Sequence, residues 1–325
     1  MFSVEEEQVL ISTNFAAIEK RGTTIEEIEK AGIAYFCSYK MDWNDAISRL
    51  LESEAIIMSG SDVKLNDGID ISAMTRRRPR YKYWYNDWYR MAGDSLAHSR
   101  LCEYSYGVDL CQTGMMTKNQ IDFLCDSTGV KGHGLDVGCG IGKIAEYINS
   151  RTQTSAVGVD TILSGVKAAR KRTSDNNELS FELSDMRQYI VNTDLIFDFV
   201  ISMDTLYFLG NSFRDFLLNS MNKITSDGTL YVFYSAWIGK DSKLGSKDNN
   251  LGRFLETNHR DYTCIDFTED DYSHWERKRT FLTNSGKDFA AEGLGELHRR
   301  RLSEAEVLDD LAKQRKMKRY LYMIK

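Results

Sequence analysis

HGLDVGCGIGKIAEYINSRTQTSAVGVD, residues 133–160, opens with a short apolar-leaning run around Leu135 and Val137 that predicts a buried strand. Glycines then stand at alternate positions, Gly138, Gly140 and Gly142. An apolar helical pattern follows in Ile144, Ala145, Tyr147 and Ile148, and a second strand, 156–159, ends in Asp160. Strand, glycine turn, helix, strand and acidic residue, in that order, predict the opening unit of a doubly wound sheet that binds a nucleoside. A tight turn after a strand needs backbone angles that glycine adopts at little cost. Without side chains the turn also lets the backbone approach a ligand, and the Asp160 carboxylate is placed to accept both ribose hydroxyls.

The pattern departs from the dinucleotide fingerprint, whose third glycine comes five residues after the first, where this chain has Lys143. Here the third glycine comes at four, and Asp136 sits two residues before Gly138. A carboxylate there suits a ligand carrying an ammonium and a sulfonium, not a pyrophosphate. The LDVGCGIG and GVD pair resembles the class I S-adenosylmethionine-dependent methyltransferases. The resemblance covers roughly residues 100–237, is looser over 238–325, and for 1–75 rests on architecture alone. It implies S-adenosylmethionine as cofactor, S-adenosylhomocysteine as product, and Asp136, Gly138, Cys139, Gly140, Gly142 and Asp160 as cofactor contacts. A glycine turn without a ligand is the competing reading.

At 325 residues the chain exceeds what such a core needs, so the remainder must cap, dimerise or select substrate. The net charge of −6 disfavours a general nucleic-acid binder. Cysteines at 37, 102, 111, 125, 139 and 264 show no CxxC pair and no zinc spacing; they read as reduced thiols of a cytoplasmic protein, and no metal is expected. No apolar run reaches membrane-spanning length, and the acidic start MFSVEEEQVL does not read as a signal peptide. The single proline, Pro79, leaves no Pro-Pro, so the Asp/Asn-Pro-Pro-aromatic motif of the adenine and amide-nitrogen methylators is missing.

The N-terminal pattern predicts helices at 4–20, 25–31 and 42–53, then a hairpin over 55–72 turning at Asn66-Asp67-Gly68. Three helices and a hairpin suggest a winged-helix-like module over 1–75. DNA binding is opposed by 14 acidic against 6 basic residues in that stretch, so a capping or homodimer contact is the preferred reading. The basic run RRRPRYK, 76–82, reads as a linker or domain boundary, with a solvated charged segment as the plainer and preferred reading. It opens an aromatic-rich helical segment, 76–128, expected to cover the site. Tyr83, Trp84, Tyr85, Trp88, Tyr89, Tyr104 and Tyr106 are either core or cation-attracting faces. Tyr106, for substrate, and Gln112, for cofactor, stand nearest the first core strand.

From 129 to 325 the chain reads as the methyltransferase domain. Strand three, 180–183, leads to Asp185 and Met186; the resemblance assigns Asp185 to the adenine amino group, against a plain surface turn. Strand four, FDFVISM at 197–203, ends at Met203-Asp204-Thr205-Leu206-Tyr207, beyond the carboxyl ends of parallel strands where ligands sit. Met203 is taken as a cofactor contact. Asp204 either orients or deprotonates a nucleophile or caps the next turn, and Tyr207 packs on adenine or substrate. Strand five, 229–237, brings Trp237 to the pocket edge. A polar loop, 238–250, and strand six, 262–267, precede a helical insertion, about 268–317, read as a lid. Glu269, Asp270 and Trp275 there either bind a cationic substrate or form a solvated face, and His274 is the one histidine worth testing. The last strand is 319–324. Basic clusters at 299–301 and 313–318 share helices with acidic residues and read as salt-bridged surface.

The expected fold is therefore α/β: a doubly wound, Rossmann-like, seven-stranded and mostly parallel sheet with an N-terminal helical domain and a helical lid. Methyl transfer needs collinear alignment and exclusion of water more than a base, so a missing His-Asp pair does not oppose it. A small-molecule acceptor, with a lean to amine nitrogen, is the first reading, and O- or C-methylation is its alternative. A nucleic-acid methyltransferase and a non-catalytic cofactor-binding regulator are the other two.

Overall fold

The computed structural model describes residues 2–20, 22–36 and 41–325. Cys37 lies outside them. The chain divides into two compact units, Met1–Gly93 and Asp94–Lys325.

In the first unit, α1 (Val4–Ile18) starts at a capping box: Glu6 N donates to Ser3 Oγ at 3.1 Å and Ser3 N to Glu6 Oε2 at 2.8 Å. Then come α2 (Ile25–Phe36), α3 (Trp43–Glu52), the hairpin β1 (Ile56–Ser59) and β2 (Asp62–Leu65), α4 (Ile71–Arg77) and α5 (Arg80–Ala92). Val9, Leu10, Ile28, Trp43, Leu50, Ile56 and Val63 form its apolar core. The hairpin turns at Gly60-Ser61, not at 66–68, because Ser59 pairs with Asp62 across a glycine at φ +67°. Asn66 instead donates back to Glu54 O at 2.8 Å, and Asp70 caps α4 by accepting from Ala73 N at 2.8 Å.

The basic run 76–82 is not a free linker. Glu7 is fully buried and draws Arg77 and Arg78 as ion-pair partners and Tyr83 Oη as a donor at 2.6 Å. Pro79 ends up at the start of α5, where its missing N–H is not needed. The break between units thus falls after Gly93, and the aromatic residues 83–89 belong to the first unit.

The second unit contains α6 (Leu96–Tyr106), α7 (Lys118–Ser127), β3 (His133–Val137), α8 (Lys143–Thr152), β4 (Ser155–Asp160), α9 (Leu163–Arg172), β5 (Leu179–Leu183), α10 (Met186–Asn192), β6 (Phe197–Met203), α11 (Phe213–Met221) and β7 (Ile224–Trp237). After these come α12 (Asn250–Thr257), β8 (Tyr262–Asp266), α13 (Thr268–Asn284), α14 (Gly286–Ala291), α15 (Gly295–Lys313) and β9 (Met317–Ile324). The sheet order is β5-β4-β3-β6-β7-β9-β8, and only β9 runs antiparallel to its neighbours. Val137, Val159, Val200 and Val232 are buried in its core, as parallel strands covered on both faces require. Chain order reverses between β3 and β6, which opens a crevice at their carboxyl ends. The expected insertion is present as α13 to α15, between the two last strands of the chain, with Trp275, Leu282, Phe289 and Leu297 buried. Among the described residues no helix is long and apolar enough to cross a membrane.

Candidate active site

The glycine turn at the end of β3 has the predicted backbone. Gly138, Gly140 and Gly142 all have positive φ, at 73°, 57° and 78°. Gly138 N donates to Val159 O at 2.7 Å and Cys139 N to the same oxygen at 3.2 Å, which ties the turn to β4. A Cβ on Gly138 would lie 2.2 Å from Thr205 Cγ2. Thr205 cannot yield easily, since its Oγ1 donates to Val137 O at 3.1 Å. Gly138→Ala is therefore expected to destabilise the second unit by about 2–4 kcal/mol, combining left-handed strain with overpacking. Thermal unfolding would register this, and an unchanged Tm would sink the steric account.

Two carboxylates flank this turn. Asp160, at the end of β4, accepts from Gly140 N at 2.9 Å and from Ile162 N at 2.8 Å. Asp136 is buried on β3, and among the described residues its Oδ2 has no hydrogen-bond partner. Burial and the nearby Asp160 charge push its carboxyl up to about 7. An orphaned buried carboxylate oxygen beside a turn of bare backbone fits a ligand that presents an ammonium group. Cys139 is buried, and its thiol is pushed well up by that burial.

The other expected cofactor residues divide. Asp185 stands at the end of β5 as expected, but it caps α10, accepting from Arg187 N at 2.9 Å and Arg187 Nε at 2.8 Å. Met186 and Met203 pack into the apolar layers on either side of the sheet. Gln112 is engaged with backbone: it accepts from Leu110 N and donates to Val108 O and Met116 O, so it braces its own loop.

Asp204 lies at the carboxyl end of β6 at φ +57°. Its carboxylate takes Arg319 Nη1 on Oδ1, Arg319 Nη2 on Oδ2 at 3.1 Å, Met115 N on Oδ2 at 2.8 Å and Tyr207 Oη on Oδ1 at 3.4 Å. A carboxylate has about four lone-pair directions, and all four are engaged. Asp204 thus has its lone pairs taken up by Arg319, Met115 and Tyr207, and it does not cap the next turn; of the readings the sequence offered, orientation agrees with this arrangement. Its partner Arg319 is wholly buried on β9 and also holds Gln120 Oε1 and Ser235 Oγ, each at 3.1 Å.

Tyr207 links this ion pair to a feature the sequence reading missed. Its hydroxyl accepts from Ser235 N at 2.6 Å, and its ring stands 5.7 Å from Tyr234 and 5.5 Å from Trp237. These three rings enclose one ammonium. Lys240 Nζ lies 4.3 Å from the Tyr207 centroid, 3.9 Å from Tyr234 and 4.1 Å from Trp237. Desolvation pushes this lysine down to about 8, against the opposing pull of Asp241. The signal was present in YSAWIGK, which puts a lysine one turn beyond two rings. Tyr207, Tyr234 and Lys240 also line a cavity of about 540 Å³ with Phe213, Arg214 and Arg253.

The insertion gathers Tyr106, His274 and Trp275, which the sequence singled out, with Lys278, Arg301 and Glu304, which it did not. His274 is 4.5 Å from both the Tyr106 and the Trp275 rings. Lys278 is fully buried, 4.2 Å from Trp275 and 3.1 Å from Glu304, and burial with the nearby Arg301 lowers it to about 7. Tyr106 Oη donates to Gly114 O at 3.1 Å and accepts from Arg301 Nη2 at 3.0 Å. The acidic pair assigned to a cation works elsewhere. Asp270 accepts from Thr117, Asn119 and Gln120 at the start of α7, and Glu269 pairs with Arg315 on the surface. Arg299 and Arg300 pair with Glu296, and Lys313 with Asp309, as a salt-bridged surface should.

A doubly wound sheet of this strand order, with a glycine turn and two carboxylates at its switch point, defines a class I methyltransferase architecture. Residues 135–228 match the family model described as a methyltransferase domain. Solved structures share its fold at low identity. A cyclopropane synthase, MmaA2, from Mycobacterium tuberculosis has 13% identity, covers 74% of this chain and 97% of its own, and gives a TM-score of 0.58. Phosphoethanolamine N-methyltransferase 2 from Haemonchus contortus has 13% identity, coverages of 81% and 61%, and a TM-score of 0.57. A mycolic acid cyclopropane synthase, CmaA1, has 11% identity, coverages of 73% and 97%, and a TM-score of 0.56. Curated proteins give no match.

Proposed function

We propose that this protein transfers a methyl group from S-adenosylmethionine to the nitrogen of a small-molecule amine. The observation that carries the amine reading is the set of three rings around an ammonium at the carboxyl ends of β6 and β7. Support for the cofactor comes from Asp136, whose buried, unpartnered oxygen suits the ammonium of the methionine moiety, and from Asp160, whose carboxylate suits the ribose hydroxyls. Gly138, Gly140 and Gly142, all at positive φ, form the turn between them. Among the related folds, the Haemonchus enzyme is an N-methyltransferase crystallised with phosphomonomethylethanolamine and S-adenosylhomocysteine, which agrees with this reading.

When bound, the cofactor supplies a sulfonium methyl that is electrophilic already, so the chain's task is to align and to exclude water. Tyr207, Tyr234 and Trp237 orient the acceptor nitrogen by their faces. The same burial that depresses Lys240 to about 8 would depress a bound amine, so its neutral, nucleophilic form is populated near neutrality without a dedicated base. Asp204 and Arg319 hold Tyr207 in place rather than moving a proton.

Methyl-labelled S-adenosylmethionine offered with primary and secondary amines, phenols and carbon acids tests the reading. Label in amines, with one S-adenosylhomocysteine per methyl, is expected. Label confined to phenols or carbon acids would overturn the amine assignment while keeping the methyltransferase.

A further inference from the structure

We propose that Lys240 is a built-in occupant of the acceptor's cation cage, holding its rings in position in the resting protein and giving way when an external ammonium ligand enters. The inference rests on reading the acceptor as an amine.

Three observations carry it. First, the ammonium is surrounded by ring faces on three sides, at 3.9 to 4.3 Å, which is the arrangement that selects protonated amines and quaternary ammonium ions. Second, the backbone on which Lys240 stands is fixed. Lys240 N and Asp241 N donate to Trp237 O at 3.1 and 3.0 Å, and Asp241 Oδ1 accepts from Tyr234 Oη at 3.1 Å and Asn250 N at 2.8 Å. Displacement therefore needs no backbone movement, only rotation about the lysine's own side-chain bonds with loss of its Nζ contacts to Ser235 O and Asp241. Third, Lys240 also lines the cavity of about 540 Å³, so its side chain has open space to turn into and a ligand has a route to the rings.

The electrostatic surroundings of the ammonium are mixed. Lys240 Nζ donates to Ser235 O and lies 3.3 Å from Asp241 Oδ2, and Asp204 attracts it from the end of β6. Arg319 on β9 opposes it, and Arg214 on α11 and Arg253 on α12 line the same cavity. The net result is a half-buried ammonium whose charge is lost as pH rises through about 8. A quaternary ammonium ion cannot lose its charge, so it competes best above that pH.

Tetramethylammonium is the probe, with its dissociation constant read by ligand-observed NMR. Lys240→Met, of similar length and no charge, is expected to bind it at least ten-fold more tightly than wild type at pH 7. The gain should vanish in the Lys240→Met, Trp237→Leu double variant. Wild-type affinity should rise between pH 7 and 9, while that of Lys240→Met stays flat. Equal affinity of wild type and Lys240→Met at pH 7 overturns the proposal. If the variant does not fold, the wild-type pH series decides: a rise supports the proposal and a flat series overturns it. S-adenosylhomocysteine binding is measured on the same samples. Intact nucleoside binding with no tetramethylammonium gain removes the lysine's role alone, whereas absent nucleoside binding by wild type removes the methyltransferase reading separately.

Discussion

Asp204→Ala is expected to lower the unfolding free energy of the Asp94–Lys325 unit by about 3–5 kcal/mol, the usual consequence of removing one partner from a buried ion pair. Arg319 is 0% exposed, and Asp204 is its only carboxylate hydrogen-bond partner among the described residues. Without that carboxylate, a guanidinium that cannot discharge is left in the sheet with only Gln120 and Ser235 as acceptors. Met115 N and Tyr207 Oη lose their acceptor in the same step. Alanine is also strained at φ +57°, a region that asparagine tolerates better. Urea unfolding followed by circular dichroism reads the loss, with an unchanged m-value expected. Asp204→Asn separates the two accounts of this residue. A general base would leave stability intact and take one ionisation out of the pH–rate profile. A positioning role predicts reduced stability and an unchanged acid limb.

Asp160→Ala is expected to weaken S-adenosylhomocysteine binding by at least about 100-fold. Hydrogen bonds to a charged acceptor contribute about 1.5–3 kcal/mol each, and two ribose hydroxyls on one carboxylate account for about 3 kcal/mol at the low end. The variant also frees Gly140 N and Ile162 N, so the turn itself loosens. Calorimetric titration gives the affinity, and thermal unfolding of the same sample reports whether the fold survives. Wild-type affinity in a folded Asp160→Ala protein would mean that the nucleoside, if bound, lies elsewhere.

These two carboxylates mark the boundary of what can be read from sequence. The position of Asp160 was legible because it is set locally: a strand, three positive-φ glycines and a second strand occupy one short stretch. The parallel character of the sheet followed by the same logic, since near-continuous apolar runs alternating with helical patterns predict it. Asp204 was placed correctly at a strand end, but its partner was not legible, because the arginine that saturates it comes 115 residues later on β9. The partners of Gln112 and Asp270 were hidden for the same reason, being backbone and side-chain groups that no spacing rule exposes. The basic run at 76–82 looked solvated because its buried partner, Glu7, lies some 70 residues upstream.

The sequence by itself determined the doubly wound sheet, the glycine turn and the acidic residue that closes it, all set by backbone sterics and local periodicity. Only the tertiary structure decided which charges are free and which are matched. It alone brought Tyr207 from beyond β6 against Tyr234, Trp237 and the Lys240 ammonium. Desolvation and pairing depend on what surrounds a group in three dimensions, and packing sets those surroundings after the local elements have formed.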